Sequence, residues 1–244
     1  MPRYFIEVAY KGSNYSGFQV QQNANSVQAE IEKALAIFYK FKFELTGSSR
    51  TDAGVHALQN FFHFDTVVNI KDEAYSLNAI LPDDIVVKGI FKVTDDAHCR
   101  FDAKSREYHY YIYQNKDPFL LGNAYYIPYP IELALLQQAA KELLNHIDFT
   151  SFSKRNTQVK SFLCKLYISE WVQEGSCLVY KVKANRFLRG MVKGLVGTML
   201  LVGKRKITLE EFIRIIEAKD CTKADFSVSS DGLFLTKVVF DTYF

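Results

Sequence analysis

Several things are scarce in this chain, and each scarcity removes a class of explanation. Five prolines and no low-complexity run in 244 residues leave no stretch that reads as disordered. The four cysteines, Cys99, Cys164, Cys177 and Cys221, are far apart and form no C-x-x-C pair. A zinc site therefore has no support, and idle thiols in a reducing cytoplasm are expected. No apolar run approaches the roughly 20 residues that cross a bilayer. Met1-Pro2-Arg3-Tyr4 runs straight into a strand-like pattern, without the apolar core of a signal peptide. The twelve glycines include no phosphate-loop pattern. What remains is an aromatic-rich globular composition, with fifteen tyrosines, twenty phenylalanines and 23% charged residues. The length allows one large domain or two smaller ones, each with its own core.

Acidic residues are also scarce in one region. From Phe149 to Leu209 there are twelve Lys or Arg against Glu170 and Glu174, and from Gly175 to Leu209 there are eight bases and no acid. The overall charge is only +3, so the first region is offset by acid elsewhere. A chain that merely needed solubility would mix its signs; this asymmetry points to a phosphate-facing surface. The alternative is a solvated basic face with no partner.

Periodicity predicts two halves with the same element order. In the first, Tyr4, Ile6, Val8 and Tyr10 alternate as a strand. Asn25 and Gln28 read as a capping pair, with Val27, Ile31, Ala34, Leu35 and Phe38 following at helical spacing. Strands fit residues 42–46, 60–65 and 85–93, and a helix fits 72–80. In the second half a strand over 106–113 precedes a helix over 131–146, with Leu135, Leu136, Ala139, Leu143 and Leu144 on one face. Strands over 163–171 and 178–184, a helix over 187–202, a short helix opened by Thr208 with Glu211, and a strand over 233–240 complete it. The order β-α-β-β-α-β twice over predicts an α+β chain of two ferredoxin-like units with mainly antiparallel sheets, residues 1–104 and 105–244. The first would carry the acid described next and the second the basic helix. The loops 11–23 and 148–160 hang off these units, and the tip Lys154-Arg155-Asn156-Thr157 suits an RNA contact.

The most informative stretch is Gly47-Ser48-Ser49-Arg50-Thr51-Asp52-Ala53-Gly54-Val55-His56-Ala57. It sets one carboxylate, Asp52, in a turn of small residues that leaves room for a substrate. Arg50 can hold that acid ionised or reach past it to an anion. Local composition alone would make Asp52 an Asx-turn residue, and His56 reads as a hydrogen-bonded structural histidine rather than a proton carrier. A second candidate is the helix expected over 187–202. Arg186, Arg189 and Lys193 lie at i, i+3 and i+7 on one face, apolar residues cover the others, and Gly190, Gly194 and Gly197 lie within. Each glycine costs about 1 kcal/mol relative to alanine in a helix, so the close approach of another backbone is expected there. A third is the pair Tyr108 and Tyr110, which share a strand face; an aromatic platform stacks a nucleobase at about 1–3 kcal/mol, although a single tyrosine among fifteen is more often core.

Together these segments resemble the tRNA pseudouridine synthase A family, whose signature reads R-T-D-A-G-V-H. The resemblance spans nearly the whole chain. Tyr10 to Gln19 is similar to Y-D-G-x-x-Y-x-G-W-Q, and Ser26-Val27-Gln28 to T/S-V-Q. Leu77-Asn78, Leu81-Pro82 and Asp84-Ile85 follow L-N…L-P-x-D-I, and Arg100 to Ala103 resembles R-F-x-A. Arg106-Glu107-Tyr108-His109-Tyr110 resembles R-x-Y-x-Y, Asp148 to Phe152 is D-F-T-S-F, and Ala184 through Gly197 resembles A-N-x-F-x-x-x-M-V-R-x-x-V-G. There are departures. Lys11 stands for Asp, Phe18 for Trp, Arg189 and Gly190 stand where histidines are common, and the stretch before Gly232 matches poorly. Lys193 replaces the arginine that pairs with the catalytic acid in the family, keeping charge and losing the bidentate fork.

The resemblance implies the pseudouridine synthase fold, with a cleft between the halves, and isomerisation of uridine to pseudouridine at positions 38, 39 and 40 of the tRNA anticodon stem-loop. It implies Asp52 as the catalytic acid, acting as a nucleophile at ribose or base or as a base at C2′. It implies Tyr108 stacking on the flipped base, Arg50 as the wedge in its place, and an ion pair of Lys193 with Asp52; the basic side formed by Arg186, Arg189 and Lys193 is expected to face the RNA. Nothing is oxidised and nothing leaves, so no cofactor and no metal are expected; the family is homodimeric. Two other readings stand beside this one. The element order is also that of the RNA recognition motif, but Asn60-Phe61-Phe62-His63-Phe64 does not fit its aromatic signature, and a pure binder has no need of Asp52. A synthase with a different RNA target is the other.

Overall fold

Along β1 (Arg3–Tyr10) the alternating set Tyr4, Ile6, Val8 and Tyr10 is buried, and so is Phe5 on the opposite face. The first sheet is therefore covered on both sides. In the computed structural model, which describes residues 1–71, 73–155 and 159–241, β1 lies between β3 (His56–Asp65) and β4 (Ile85–Val93), antiparallel to both. A two-residue β2 (Thr46–Gly47) pairs antiparallel with β3, far shorter than the strand expected over 42–46. The helix α1 (Val27–Tyr39) buries Val27, Ile31, Ala34 and Leu35. Its cap is Ser26, whose hydroxyl accepts from the Ala29 amide at 3.2 Å, so Asn25 is not the capping residue. A short α2 (Ala74–Asn78) precedes β4; Asp72, where its start was expected, lies outside the described residues. The element order β1-α1-β2-β3-α2-β4 and the strand order β4-β1-β3-β2 are those of a ferredoxin-like unit.

The chain divides into Met1–Lys104 joined by the segment from Phe234, and Ser105–Leu233. The closing strand thus does not belong to the second unit, as a division at 105–244 has it. After it enters as β9 (Leu233–Val239), Phe234 and Leu235 pair in parallel with His56 and Ala57 of β3. The Val238 amide donates to the Gln59 side chain at 3.0 Å, the Lys104 amide to the Val239 carbonyl at 2.8 Å, and Phe240 joins the rings of Phe5 and Phe61. Period-2 alternation gives a strand but not its partner.

In the second unit β8 (Cys177–Ala184) lies between β5 (Ser105–Tyr113) and β7 (Leu166–Glu174), antiparallel to each, and a short β6 (Tyr125–Tyr126) runs parallel to β5. The Trp171 and Tyr180 rings pack at a tilt, 5.2 Å apart, in its core. Helix α3 (Leu133–Glu142) is shorter than expected, because the chain tightens into a 3-10 turn over Leu143–Asn145. That rotation leaves Leu144 exposed, off the face shared by Leu136, Ala139 and Leu143. The cap of α5 (Leu209–Glu217) is as expected: Thr208 and Glu211 form a reciprocal capping box.

Helix α4 (Met191–Gly203) differs most from its expected span. Gly190 sits before it with φ +72° and ends helical geometry there. Arg186 and Arg189 therefore precede the helix and do not share a helical face with Lys193. The expected cationic side does not exist either: eleven of the thirteen residues are buried. The expected backbone approach is found at Gly197, where a Cβ would lie 2.2 Å from the Asp225 carbonyl oxygen. Thr198 ties the crossing together, donating to the Gly194 carbonyl at 2.7 Å and accepting from the Asp225 amide at 3.0 Å.

Two stability measurements follow from this packing. Helix propensity alone makes Gly197→Ala stabilising by about 1 kcal/mol; the clash with a carbonyl makes it destabilising by about 1–3 kcal/mol, the outcome expected in urea denaturation. His63 on β3 is buried, 4.5 Å from the His98 ring and 3.2 Å from the Cys99 sulfur. Burial, then the His98 and Arg3 charges, push its pKa down to about 4, against smaller opposing effects of Asp65 and Asp102. The unfolded ring takes up a proton near pH 6.5, so the unfolded state binds more protons between there and about pH 4, and stability falls as pH falls through that window. Denaturation midpoints at pH 7, 5.5 and 4 should show this slope, and His63→Phe should reduce it.

Candidate active site

The eleven-residue motif forms the connection from β2 to β3. Thr51 is buried, Asp52 is half-buried, and Arg50 and Ala53 are exposed. The turn closes when the Val55 amide donates to the Asp52 carbonyl at 3.2 Å, with Gly54 at φ +78°, a conformation that suits glycine. Asp52 thus projects from a turn whose neighbours are too small to cover it.

That turn is held by a second loop, residues 11–18, packed against it backbone to backbone. A Cβ on Gly12 would lie 2.1 Å from the Val55 carbonyl oxygen, so only glycine fits. The Gly12 amide donates to His56 Nδ1 at 3.2 Å, the Gly54 amide to the Tyr15 carbonyl at 3.4 Å, and the Phe18 amide to the Thr51 carbonyl at 3.2 Å. His56 is fully buried, with its ring stacked 4.5 Å from Phe234. An Nδ1 that accepts from a backbone amide fixes the tautomer, so His56 is structural here, as its sequence context suggests.

A polar network lies beneath. The Asn60 amide group donates to the Ser49 carbonyl at 2.9 Å and to the Tyr10 hydroxyl at 3.2 Å; the latter meets Thr51 Oγ1 at 2.8 Å. Asn60 is fully buried and Tyr10 nearly so. None of this network was legible as a site in the sequence. The motif hints only at Thr51, and the pairing of Asn60 with Val8 across β1 and β3 is a matter of register.

Arg50 borders a shallow cavity with Phe18, Gln19, Gln28, Leu45, Thr46 and Gly47. The other candidates lie on the second unit. Tyr108, half-buried on β5, meets Phe187 edge to face at 5.0 Å, so its neighbour in space adjoins Arg186. Tyr110 is core: it is fully buried, and its hydroxyl donates to the Ser229 carbonyl at 2.6 Å. Arg186 is half-buried and Arg189 exposed. The Arg189 carbonyl accepts from the Lys154 amide at 3.0 Å, which joins the 148–160 loop to the segment before α4. Asn156 and Thr157 of that loop lie outside the described residues. Lys193, partly buried in the first turn of α4, reaches Ser230 Oγ at 3.4 Å. Among the described residues no group of three His, Cys, Asp or Glu is placed to hold a metal, and no helix is long and apolar enough to cross a membrane.

Replacing Asn60 with Leu removes the buried hydrogen bonds to the Ser49 carbonyl and the Tyr10 hydroxyl. A loss of about 1–3 kcal/mol is expected, read by chemical denaturation. A change below about 0.5 kcal/mol would mean that the network does not support the turn.

Comparison with known proteins adds the following. A family model described as tRNA pseudouridine synthase matches residues 6–102 and 139–241. A curated relative named tRNA pseudouridine synthase A from Parabacteroides distasonis is 44% identical over 98% of this chain and 96% of its own length. Relatives of the same name from Bacteroides thetaiotaomicron and Staphylococcus aureus are 43% and 39% identical, over 98% of this chain and 90% and 92% of their own lengths. Among solved structures, a chain of a Cbf5-Nop10-Gar1 complex aligns over 95% of this chain and 57% of its own, at 12% identity and a TM-score of 0.38.

Proposed function

Because the chain belongs to the tRNA pseudouridine synthase family, we propose that it isomerises uridine to pseudouridine in tRNA, at positions 38, 39 and 40 of the anticodon stem-loop. The reaction is balanced within one nucleotide. The N1–C1′ bond breaks, the base turns, a C5–C1′ bond forms, C5 gives up its hydrogen and N1 ends protonated. No group enters or leaves, so no cofactor is called for.

The observation that carries the reading is the Asp52 turn. A half-buried carboxylate on a turn of small residues is suited to a substrate that arrives from outside. A uridine in a stem-loop must leave its stack to be reached, which costs a few kcal/mol. In this reading Asp52 opens the reaction, as nucleophile at ribose or base or as base at C2′. Tyr108 stacks on the extruded base, Arg50 enters the place it vacates, and Lys193, Arg189 and Arg186 face the RNA. The exposed Arg189 and the uneven basic charge from Phe149 to Leu209 suit a polyanionic partner. A homodimer working in the cytoplasm belongs to the same proposal.

The test is tritium release from unmodified tRNA labelled at uridine C5, since C5 loses its hydrogen only if it becomes the glycosidic carbon. Wild type should release tritium and Asp52→Asn should fall to background. Tyr108→Ala should lose transition-state stabilisation worth about 1–3 kcal/mol, and Lys193→Arg should stay active. Release by Asp52→Asn at the wild-type rate would remove the acid from the mechanism. No release by wild type from any tRNA, with RNA still bound, would leave a binding protein.

A further inference from the structure

We propose that Asp84, a residue outside the motif, is a positioning residue for the Asp52 turn; the proposal rests on the synthase reading and deepens it. The argument begins with register. Tyr10, the last residue of β1, lies opposite Ile85, the first of β4, so the residues just beyond, Lys11 and Asp84, are neighbours. Asp84 uses three acceptors on the loop that starts there. Its carbonyl accepts from the Lys11 amide at 2.9 Å, Oδ2 from the Asn14 side-chain amide at 2.8 Å, and Oδ1 from the Tyr15 hydroxyl at 2.5 Å. The last is short, as expected for a hydroxyl donating to a carboxylate. Burial and the bond to Asp84 both push the Tyr15 phenol well above its usual range, so it stays a donor.

The segment so anchored is a single 3-10 turn, Gly12–Asn14, with Lys11 and Tyr15 on either side, too short to hold its own shape. Yet this turn carries the Gly12 amide that binds His56 and is followed at once by the Tyr15 carbonyl that binds Gly54. Asp84 therefore fixes both ends of a loop whose middle supports the Asp52 turn. It touches that loop and reaches Asp52 through it. A misplacement of about 1 Å at a reacting group can cost on the order of a hundredfold in rate, so loosening this loop should appear in kcat.

The experiment compares wild type with Asp84→Ala, Asp84→Asn and Tyr15→Phe. It measures tritium release under saturating and limiting tRNA, and hydrogen exchange of the amides of residues 51–56. Asp84→Ala should lower kcat about tenfold to a hundredfold, with KM for tRNA within about threefold and faster exchange across 51–56. Asp84→Asn keeps an acceptor for the Tyr15 hydroxyl and should recover most of both. Tyr15→Phe removes one hydroxyl without disturbing the rest and should reproduce the alanine effect if that variant fails to fold. Unchanged exchange at 51–56 in both Asp84→Ala and Tyr15→Phe would overturn the proposal, as would a loss confined to KM. If wild type releases no tritium, the synthase reading fails by itself, and the exchange data still decide whether Asp84 holds the turn.

Discussion

The contact on which the site depends is the approach of the Gly12 backbone to the Val55 carbonyl, closer than any Cβ would allow. With side chains between the two loops, the Gly12 amide could not reach His56, nor the Gly54 amide Tyr15. Backbone hydrogen bonds are the stiffest way to couple two irregular segments, because they fix main-chain position and leave no rotamer to choose. A turn made of Gly, Ala and Ser has little side-chain packing of its own. The small residues that leave Asp52 accessible are the same ones that forgo hydrophobic support, and backbone coupling replaces that support.

The motif also borrows rigidity from the sheet. It leads into β3, and β3 is flanked by β1 on one side and by β9 on the other at its first two residues. His56 sits where all of this converges, stacked on Phe234 from the far end of the chain and bonded to Gly12 from the near end. The last strand therefore does more than finish a sheet. It brings the Phe234 ring against His56, four residues beyond Asp52.

Much of this was legible in the sequence where one signal is local and strong. The β1 alternation, the span of β4 and the Thr208–Glu211 capping box depend on neighbours within a few residues, and the structure has them as expected. The turn of small residues around Asp52 was legible for the same reason, and the structure has it. Failures lie where a distant partner decides. The sequence Arg186 to Val202 has helical spacing throughout, but Gly190 adopts positive φ beside Lys154 and the helix starts one residue later. Its glycines spoke for close packing and its bases for a solvated face; packing prevailed over nearly the whole surface of α4. The Asn60 network and the Asp84 bonds depend on strand register, which one sequence does not reveal.

The burial of α4 sharpens the meaning of its one charge. A helix with eleven of thirteen residues buried gains nothing in packing from a lysine, and partial desolvation of an ammonium is unfavourable where an apolar residue of similar size would be neutral or stabilising. Ser230 Oγ, at 3.4 Å, is one of its neighbours. Packing alone does not ask for a cation at this position, and in the proposed function an anionic RNA backbone would. Lysine in place of the family's arginine keeps that charge on a flexible stem and gives up the bidentate fork. Burial of the helix and the charge it retains thus pull in opposite directions, and the proposed contact with RNA would account for keeping Lys193.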